Sequence, residues 1–369
     1  MTQDDARWMR LALSLGARGA GRVWPNPAVG CVIVKQGRVI GRGWTQPGGR
    51  PHAETEALAQ AGEAAHGATA YVSLEPCAHH GQTPPCADAL VRASVARVVI
   101  GLRDPDPRTD GGGIARLRAA GIAVTGPILE EDARRAHRGF LSRVQRGRPS
   151  LTLKLANSFD GRIATATGES QWITGPDARR VVHAMRMRHD AVMVGAGTAR
   201  ADDPALTVRG LGARHQPVRV VVSRHLDLPR DGALARSARE LPLWILHGEG
   251  AEQGVQTAWQ GLGARLLAVP TGPGGQVDLV AALQALGREG LTSVFCEGGG
   301  ALAASLLSAD LVDDLVGFSA GLVIGAEGQP AIGAMGLAEL SEAPRFQLRS
   351  TRQVGADILN EWTRPASSL

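Results

Sequence analysis

Short apolar runs rich in β-branched residues alternate along this chain with segments whose apolar positions recur every three or four residues, the pattern of an α/β protein. CVIV (31–34) and RVIG (38–41), with Gln36-Gly37 between them, predict a β-hairpin. A helix is expected over 53–61, then the strand TAYVSL (69–74), a helix near 87–93 and the strand ARVVIGL (96–102). A helix near 114–120 and a short strand IAVT (122–125) follow, and 130–143 reads as a charged, amphipathic connecting helix.

RGRPS (146–150), basic and broken by Gly and Pro, precedes a fresh apolar run, LTLKLA (151–156), and predicts a boundary at about residue 147. A chain of 369 residues exceeds the roughly 250–300 at which single cores stop growing, so two domains are expected, 1–147 and 148–369. The second shows strands DAVMVG (190–195), VRVVV (218–222), LPLWILH (241–247), SVFCEG (293–298) and DLVGFSA (314–320). Helical patterns lie between them, such as PDARRVVHAMRMR (176–188), whose Pro176 suits a first helical position.

Composition narrows the classes. Hydrophobic residues at 44% and charged residues at 20% exclude a globally disordered chain. The 48 glycines, nearly twice the usual share of about 7%, follow no collagen period and so belong to turns and close backbone approaches. Forty Lys and Arg against 35 Asp and Glu leave a net charge of +5, which suits a phosphorylated small molecule and does not call for nucleic acid. One Tyr, with aromatics at 4%, is a poor endowment for stacking bases. Four cysteines are too few for a disulfide framework, no run reaches the roughly 18 apolar residues of a membrane helix, and the opening MTQDDARW lacks a signal-peptide pattern. A cytoplasmic protein without membrane partners is expected, in which clustered cysteines read as metal ligands or reactive thiols.

The strongest chemical signal is His52-Ala53-Glu54, followed by Pro76-Cys77 and by Cys86. One imidazole and two thiolates leave a fourth tetrahedral position on zinc for water, whose pKa the metal lowers toward about 7. A carboxylate two residues after the His can move protons between that water, a ring nitrogen and a departing amine. This is the H-x-E…P-C…C signature of zinc deaminases, in which the Glu is not a ligand. Eight residues (AHHGQTPP) separate the cysteines here instead of the usual two. The alternative is a closed site with His79 or His80 as fourth ligand, or no metal, and it leaves Glu54 without a role. Cys31 and Cys296 lie in apolar strands and read as small buried hydrophobes.

Beyond the boundary, GAGT (195–198) ends DAVMVG in what reads as a tight turn where backbone could approach a phosphate. EGGG (297–300) precedes a helix expected from about Ala301, a place for a pyrophosphate, without the full G-x-G-x-x-G spacing. The polar stretches GESQWITG (168–175) and ADDPALTVR (201–209) come with Arg186 and Arg209, which could grip a phosphate bidentately. The plainer readings are a solvated helix face for Arg186 and a helix-start turn for Asp202-Asp203-Pro204.

PNPAVGCVIVKQGRVIGRG (25–43), PHAETEAL (51–58), YVSLEPCAHHGQTPPC (71–86) and RVVIGLRDPDP (97–107) resemble the deaminase half of the RibD family of bifunctional riboflavin biosynthesis proteins. In that family the long cysteine spacing, with HHG and TPPC inside it, is the normal pattern. LKLANSFDGRIA (153–164), GESQWITG, GAGTARADDPALTVR (195–209) and CEGGGALAASLL (296–307) are similar to the family's reductase half. The resemblance covers nearly the entire chain. It implies a cytidine-deaminase-like three-layer αβα domain followed by a dihydrofolate-reductase-like α/β domain that uses NADPH. It also implies two reactions: hydrolytic deamination of 2,5-diamino-6-ribosylamino-4(3H)-pyrimidinone 5′-phosphate, then reduction of the ribosyl to the ribityl side chain of 5-amino-6-(5-phosphoribosylamino)uracil.

By the same resemblance, His52, Cys77 and Cys86 bind one zinc ion and Glu54 is the acid–base. Asn26, from its position alone a turn residue between two prolines, hydrogen-bonds the pyrimidine. Ala156, Trp172, Thr198, Asp202 and the turn-and-helix residues Gly299, Gly300, Ala301, Leu302 and Ser305 would contact NADPH. Ser170, Arg186, Leu206, Arg209 and Glu297 would contact the phosphorylated substrate, and Lys154 would orient charge where cofactor and sugar meet. A homo-oligomer formed through the reductase domain is expected. Some positions depart from the family pattern. Thr45 stands where a His often does and Gln82 where Lys or Arg is common, both near the substrate. Ser223-Arg224 replaces Asp-Ser at an NADPH contact, and Gly321 replaces Pro.

Two other classes share part of these signals. A nucleic-acid deaminase has H-x-E and P-C but neither the eight-residue spacing nor the second domain, and would bind RNA with steep salt dependence. A non-catalytic, zinc-stapled nucleotide-binding protein would unfold its first domain on metal removal and release no amine.

Overall fold

Alternating apolar residues in the first strands end up on two covered faces of one sheet. In the computed structural model, which describes residues 3–79, 84–272 and 274–365, the chain divides into two compact units, Met1–Gly147 and Arg148–Leu369. His80 and Gln82 lie outside the described residues. The first unit runs α1 (Gln3–Gly16), β1 (Gly30–Lys35), β2 (Arg38–Trp44), α2 (Ala53–Ala61), β3 (Thr69–Val72), α3 (Cys86–Arg92), β4 (Arg97–Ile100), α4 (Gly112–Ala119), β5 (Ala123–Thr125) and α5 (Glu130–Arg146). Its sheet has the order β2-β1-β3-β4-β5, antiparallel through β3 and parallel beyond it. The β1–β2 hairpin turns through Gln36 and Gly37, both at positive φ (50° and 73°), the mirror-image turn that matches strand twist.

Successive strand residues point to opposite faces. Cys31, Ile33, Ala70, Val72, Val98 and Ile100 pack with Ala57 of α2, Leu90 of α3 and Leu117 of α4, and Phe140 of α5 joins the same core. Val32, Val34, Tyr71 and Val99 pack against Trp8, Met9, Ala12 and Leu15. Those four lie on α1, a helix the sequence reading did not include; their spacing of three to four residues is its signature. α2 rests on β2 at Gly41 and Gly43, where any Cβ would overlap the Ala57 and Ala53 carbonyl oxygens. That close approach seats the helix beginning just after His52.

The second unit runs β6 (Ser150–Ser158), β7 (Arg162–Ala164), α6 (Pro176–Met187), β8 (Ala191–Gly195), α7 (Ala196–Asp202), β9 (Val218–Val222), α8 (Ala233–Arg236), β10 (Leu243–Gly248), α9 (Gln253–Gly261) and β11 (Arg265–Val269). It continues with α10 (Leu279–Arg288), β12 (Ser293–Cys296), α11 (Gly300–Ser308), β13 (Asp314–Ala320), β14 (Gln329–Pro330), β15 (Gln347–Val354) and β16 (Asp357–Thr363). Its main sheet has the order β11-β10-β9-β8-β12-β6-β13-β16-β15, and β14 and β7 pair separately. Strands β11 to β13 of that order run parallel; β16 and β15 close it antiparallel. Val192, Val194, Val221 and Ile245 pack with Trp259 of α9 in one core, and Phe295, Val316 and Phe318 pack with Ala178 and Val182 of α6 in another. Burial on both faces is what makes β8, β10 and β12 near-continuous apolar runs, whereas β13 is buried at alternate positions.

Three readings change. GAGT is the start of α7 with Gly195 at its N-cap, not an isolated turn. Asp202 ends that helix and Asp203 follows at φ 38°, so Asp202-Asp203-Pro204 is a helix stop and not a start. The β15–β16 hairpin was missed because β15 is an edge strand exposed along most of its length, with no apolar run to betray it. Among the described residues, no helix is long and apolar enough to cross a membrane.

Candidate metal centre and nucleotide cleft

His52 precedes α2 in extended backbone (φ −73°, ψ 160°), Cys77 lies in the loop after β3, and Cys86 opens α3. Their ligand atoms lie within 4.8 Å of one another. His52 Nδ1 is 3.3 Å from Cys86 Sγ and 3.7 Å from Cys77 Sγ. Atoms bound tetrahedrally at about 2.0–2.3 Å from one zinc ion stand about 3.5 Å apart, so this donor set fits that metal. The N–H of Cys86, free at the helix start, donates to Cys77 Sγ at 3.3 Å. A hydrogen bond from the Cys86 thiol is the main cause pulling the Cys77 thiol down to about 4. The same bond, with burial, pushes Cys86 up.

Glu54, in the first turn of α2, is 3% exposed. Burial, and then the facing Cys77, raise its carboxyl to about 7, while His52 works the other way. His79, the alternative fourth ligand, is not in the converging group; its Nδ1 lies 3.4 Å from Thr109 Oγ1. Asn26 Nδ2 donates to the Gly49 carbonyl oxygen at 3.4 Å, which sets its side chain against the segment leading to His52. Thr45 is buried: its hydroxyl accepts the Val29 N–H and donates to the Pro27 carbonyl oxygen, each at 3.0 Å. It braces the Asn26 turn from beneath.

Two residues in this unit escaped the sequence reading. Glu75 is buried and accepts backbone N–H groups from Asp104, Gly111 and Ile114 at 3.1–3.2 Å. The signal for it was a carboxylate wedged between an apolar strand and Pro76-Cys77. His137 is buried on α5 with Nε2 3.1 Å from Ser73 Oγ, and burial drives its pKa down to about 4.

In the second unit, adjacent strands β8 and β12 deliver two turns that meet. The Gly195 N–H donates to the Gly298 carbonyl oxygen at 3.3 Å, and Thr198 Oγ1 donates to the same oxygen at 3.1 Å. Gly298 and Gly299 stand at φ 72° and 86°, where a side chain would be strained, and a Cβ on Gly299 would press on the Thr198 hydroxyl. The N-terminus of α11 therefore opens beside the start of α7, with N–H groups that have no partner within the helix and a positive dipole end. That fits a dinucleotide pyrophosphate. Ala301 is exposed at the helix start, Leu302 lies beside Gly195, and the Ser305 hydroxyl donates to the Ala301 carbonyl oxygen at 3.0 Å.

Next to this turn is a charged group. Cys296 pairs with Leu153 across β12 and β6, so Glu297 continues level with Lys154. Arg186 donates to both Glu297 carboxylate oxygens (Nη2–Oε2 2.9 Å) and to the Thr207 carbonyl oxygen at 2.8 Å. The Arg186 side chain is only 12% exposed, which rules out a solvated helix face. Burial alone would raise the Glu297 carboxyl, but Arg186 and then Lys154 hold it below its usual value. Burial lowers the Lys154 ammonium, with Glu297 opposing, and raises Asp202, with Lys154 opposing.

The remaining positions are less uniform. Ala156 is half-buried on β6, and Ser170 is half-buried in the loop that exposes Trp172, over whose ring the Arg179 guanidinium sits at 4.5 Å. Arg209 is exposed. Leu206, at φ 54°, turns its side chain into the core with Val192 and Val221. Ser223 is buried with its hydroxyl donating to Asp227 Oδ1 at 2.9 Å, and the Arg224 carbonyl oxygen accepts the Gly248 N–H at 3.0 Å. Gly321 is exposed just past β13.

Residues 2–102 match the family described as the cytidine and deoxycytidylate deaminase zinc-binding region, and 149–360 match the RibD C-terminal domain. The riboflavin biosynthesis protein RibD of Escherichia coli is 42% identical over 361 residues, covering 96% of this chain and 98% of that protein. That of Aquifex aeolicus is 38% identical over 355 residues, covering 96% and 97%. Among solved structures, Acinetobacter baumannii RibD superposes with a TM-score of 0.87 at 37% identity, over 98% of this chain and 99% of that one. A diaminohydroxyphosphoribosylaminopyrimidine deaminase/5-amino-6-(5-phosphoribosylamino)uracil reductase from Thermotoga maritima gives 0.85 at 33% identity, over the same shares.

Proposed function

The chain belongs to the RibD family of riboflavin biosynthesis proteins, a zinc-dependent deaminase joined to an NADPH-dependent reductase, and from that premise we propose how its own residues divide the work. The first unit deaminates 2,5-diamino-6-ribosylamino-4(3H)-pyrimidinone 5′-phosphate. The second reduces the ribosyl group of the resulting 5-amino-6-(5-phosphoribosylamino)uracil to ribityl. The observation that carries this reading is the meeting of His52 Nδ1, Cys77 Sγ and Cys86 Sγ within 4.8 Å, beside a buried Glu54.

Zinc held by His52, Cys77 and Cys86 supplies, when bound, a water that ionises near neutral pH. Glu54, with its carboxyl raised to about 7, takes a proton at neutral pH and gives it up again. It delivers one proton to the ring nitrogen and one to the departing amine, which leaves as ammonia while the water oxygen stays on the ring carbon. Asn26 orients the pyrimidine.

NADPH, when bound, supplies the hydride for the sugar C1 carbon. Ala156, Trp172, Thr198, Asp202, Gly299, Gly300, Ala301, Leu302 and Ser305 hold the cofactor. Ser170, Arg186, Arg209, Glu297 and the Leu206 backbone hold the substrate. The Arg186 pair keeps Glu297 ionised and therefore an acceptor for sugar hydroxyls, and Lys154 orients charge at the reacting carbon. Catalysis there rests on positioning and electrostatics, with water or substrate supplying the proton.

The enzyme acts in the cytoplasm as a homo-oligomer; Leu348, Ile358 and Trp362, exposed on the β15–β16 hairpin, support association through the second unit. Sedimentation that finds only monomer would remove that part. The function itself is tested by giving the purified protein the diaminopyrimidinone ribosyl phosphate and following ammonia release and NADPH oxidation separately. Both signals appear in the wild type and both stop in Glu54→Gln. Undiminished ammonia release from a zinc-loaded Glu54→Gln protein refutes the assignment.

A further inference from the structure

Cys77 is carried on a loop, so its sulfur is placed only as well as the loop is held. Two residues earlier, Glu75 is 3% exposed, and its carboxylate accepts three backbone N–H groups from the segment after β4. Asp104 and Gly111 donate to Oε2, each at 3.2 Å, and Ile114 donates to Oε1 at 3.1 Å. The Glu75 N–H itself donates to the Leu102 carbonyl oxygen at 2.9 Å. Gly111 and Ile114 lie at the start of α4, where N–H groups have no partner within the helix, so the buried carboxylate and the helix end satisfy each other. On the other side of this clamp, the Pro76 carbonyl oxygen sits against Gly113, where a Cβ would overlap it. Just past Cys77, Arg116 Nη1 donates to the Ala78 carbonyl oxygen at 3.2 Å. The 102–116 segment thus grips the chain immediately before and immediately after Cys77.

We propose that Glu75 is a positioning residue of the metal centre, clamping Pro76-Cys77 onto the 102–116 segment so that the fold itself holds Cys77 Sγ at His52 Nδ1 and Cys86 Sγ. The proposal rests on the reading of those three residues as zinc ligands. It acts through the backbone of Cys77 and requires no contact between Glu75 and metal or substrate.

Glu75→Gln keeps the shape of the side chain but presents an NH2 donor to backbone donors; Glu75→Asp keeps both acceptors and shortens their reach. The measurements, made on the full chain, are zinc affinity by competition with a chromogenic chelator and the absorption spectrum of the cobalt(II)-loaded protein. The thiolate-to-cobalt band and the d–d bands of that spectrum report the number and geometry of sulfur–metal bonds. Glu75→Gln weakens zinc binding by about 10–100-fold, the range seen when the supports of metal ligands are removed, and alters the cobalt spectrum. Circular dichroism and NADPH binding stay as in the wild type, and Glu75→Asp falls between the two. A folded Glu75→Gln protein with wild-type zinc affinity and an unchanged cobalt spectrum overturns the proposal. So does loss of the first unit's fold in both variants at saturating zinc, which makes Glu75 a stability residue only. A wild-type cobalt complex without a thiolate band refutes the ligand assignment itself, and the proposal with it.

Discussion

Glu54 and His137 are both buried, and burial moves their protons in opposite directions because it disfavours whichever form is charged. Glu54 is raised to about 7, which suits a group that must both take and give a proton near neutrality. Glu54→Gln therefore lowers ammonia release by about 10²–10⁴-fold while bound zinc, measured by metal analysis, stays at one per chain. His137 is lowered from 6.5 to about 4. The unfolded chain takes up this proton below about pH 6.5, whereas the folded chain refuses it until about pH 4, so the unfolded state binds more protons in that window. Stability then falls as pH drops from about 6.5 to 4 and levels off below it, by about 3 kcal/mol in all. Urea unfolding of the first unit at pH 7.5 and at pH 4.5 checks this: His137→Gln loses less stability than the wild type over that interval, and equal losses would contradict it.

At the scale of elements, the metal centre depends on the seam between α2 and β2. His52 and Glu54 lie at the start of a helix that approaches its strand only because Gly41 and Gly43 lack side chains. In Gly43→Ala the new Cβ overlaps the Ala53 carbonyl oxygen and crowds Glu56, so the helix start shifts. The expected cost is about 1–3 kcal/mol of first-unit stability. A drop in bound zinc accompanies it, read from the melting curve and metal content together, while NADPH oxidation on the deaminated substrate stays unchanged. In the second unit the corresponding seam lies at the far ends of the strands. The buried Asp190 carboxylate accepts the Thr292 N–H, the Thr292 hydroxyl and the Ser293 N–H at 2.6–2.9 Å, which ties the start of β8 to that of β12. With their starts tied, the two strands deliver the Gly195 and Gly298 turns at one height.

For the whole molecule, each unit has its own core and its own ligand, so stabilisation by the two ligands is separable. A ligand that binds only the folded state at 100 times its dissociation constant adds about 2.7 kcal/mol. In calorimetry, chelation lowers the transition of the first unit and leaves the second in place, whereas NADPH raises the second alone. A single transition that moves as one with either ligand would contradict separate stabilisation.

The sequence by itself determined the strands buried on both faces and the helices between them, because burial demands apolar residues at every position or at helical spacing. β9 follows its run residue for residue, and α2 spans 53–61 as its pattern requires. It also determined the ligand chemistry, since His, Glu, Cys and Cys in that order bring their own reactivity wherever they fold. Only the tertiary structure decided how residues far apart in the chain meet. It brought Cys86 to Cys77 across eight intervening residues, set Arg186 on Glu297 111 positions away, and turned Leu206 inward and Thr45 beneath its loop. It also gave Glu75 its three N–H partners up to 39 positions downstream. Exposed β15 left no periodic trace for the same reason: its place is set by pairing with β16, and an edge strand facing water needs no apolar pattern to keep it.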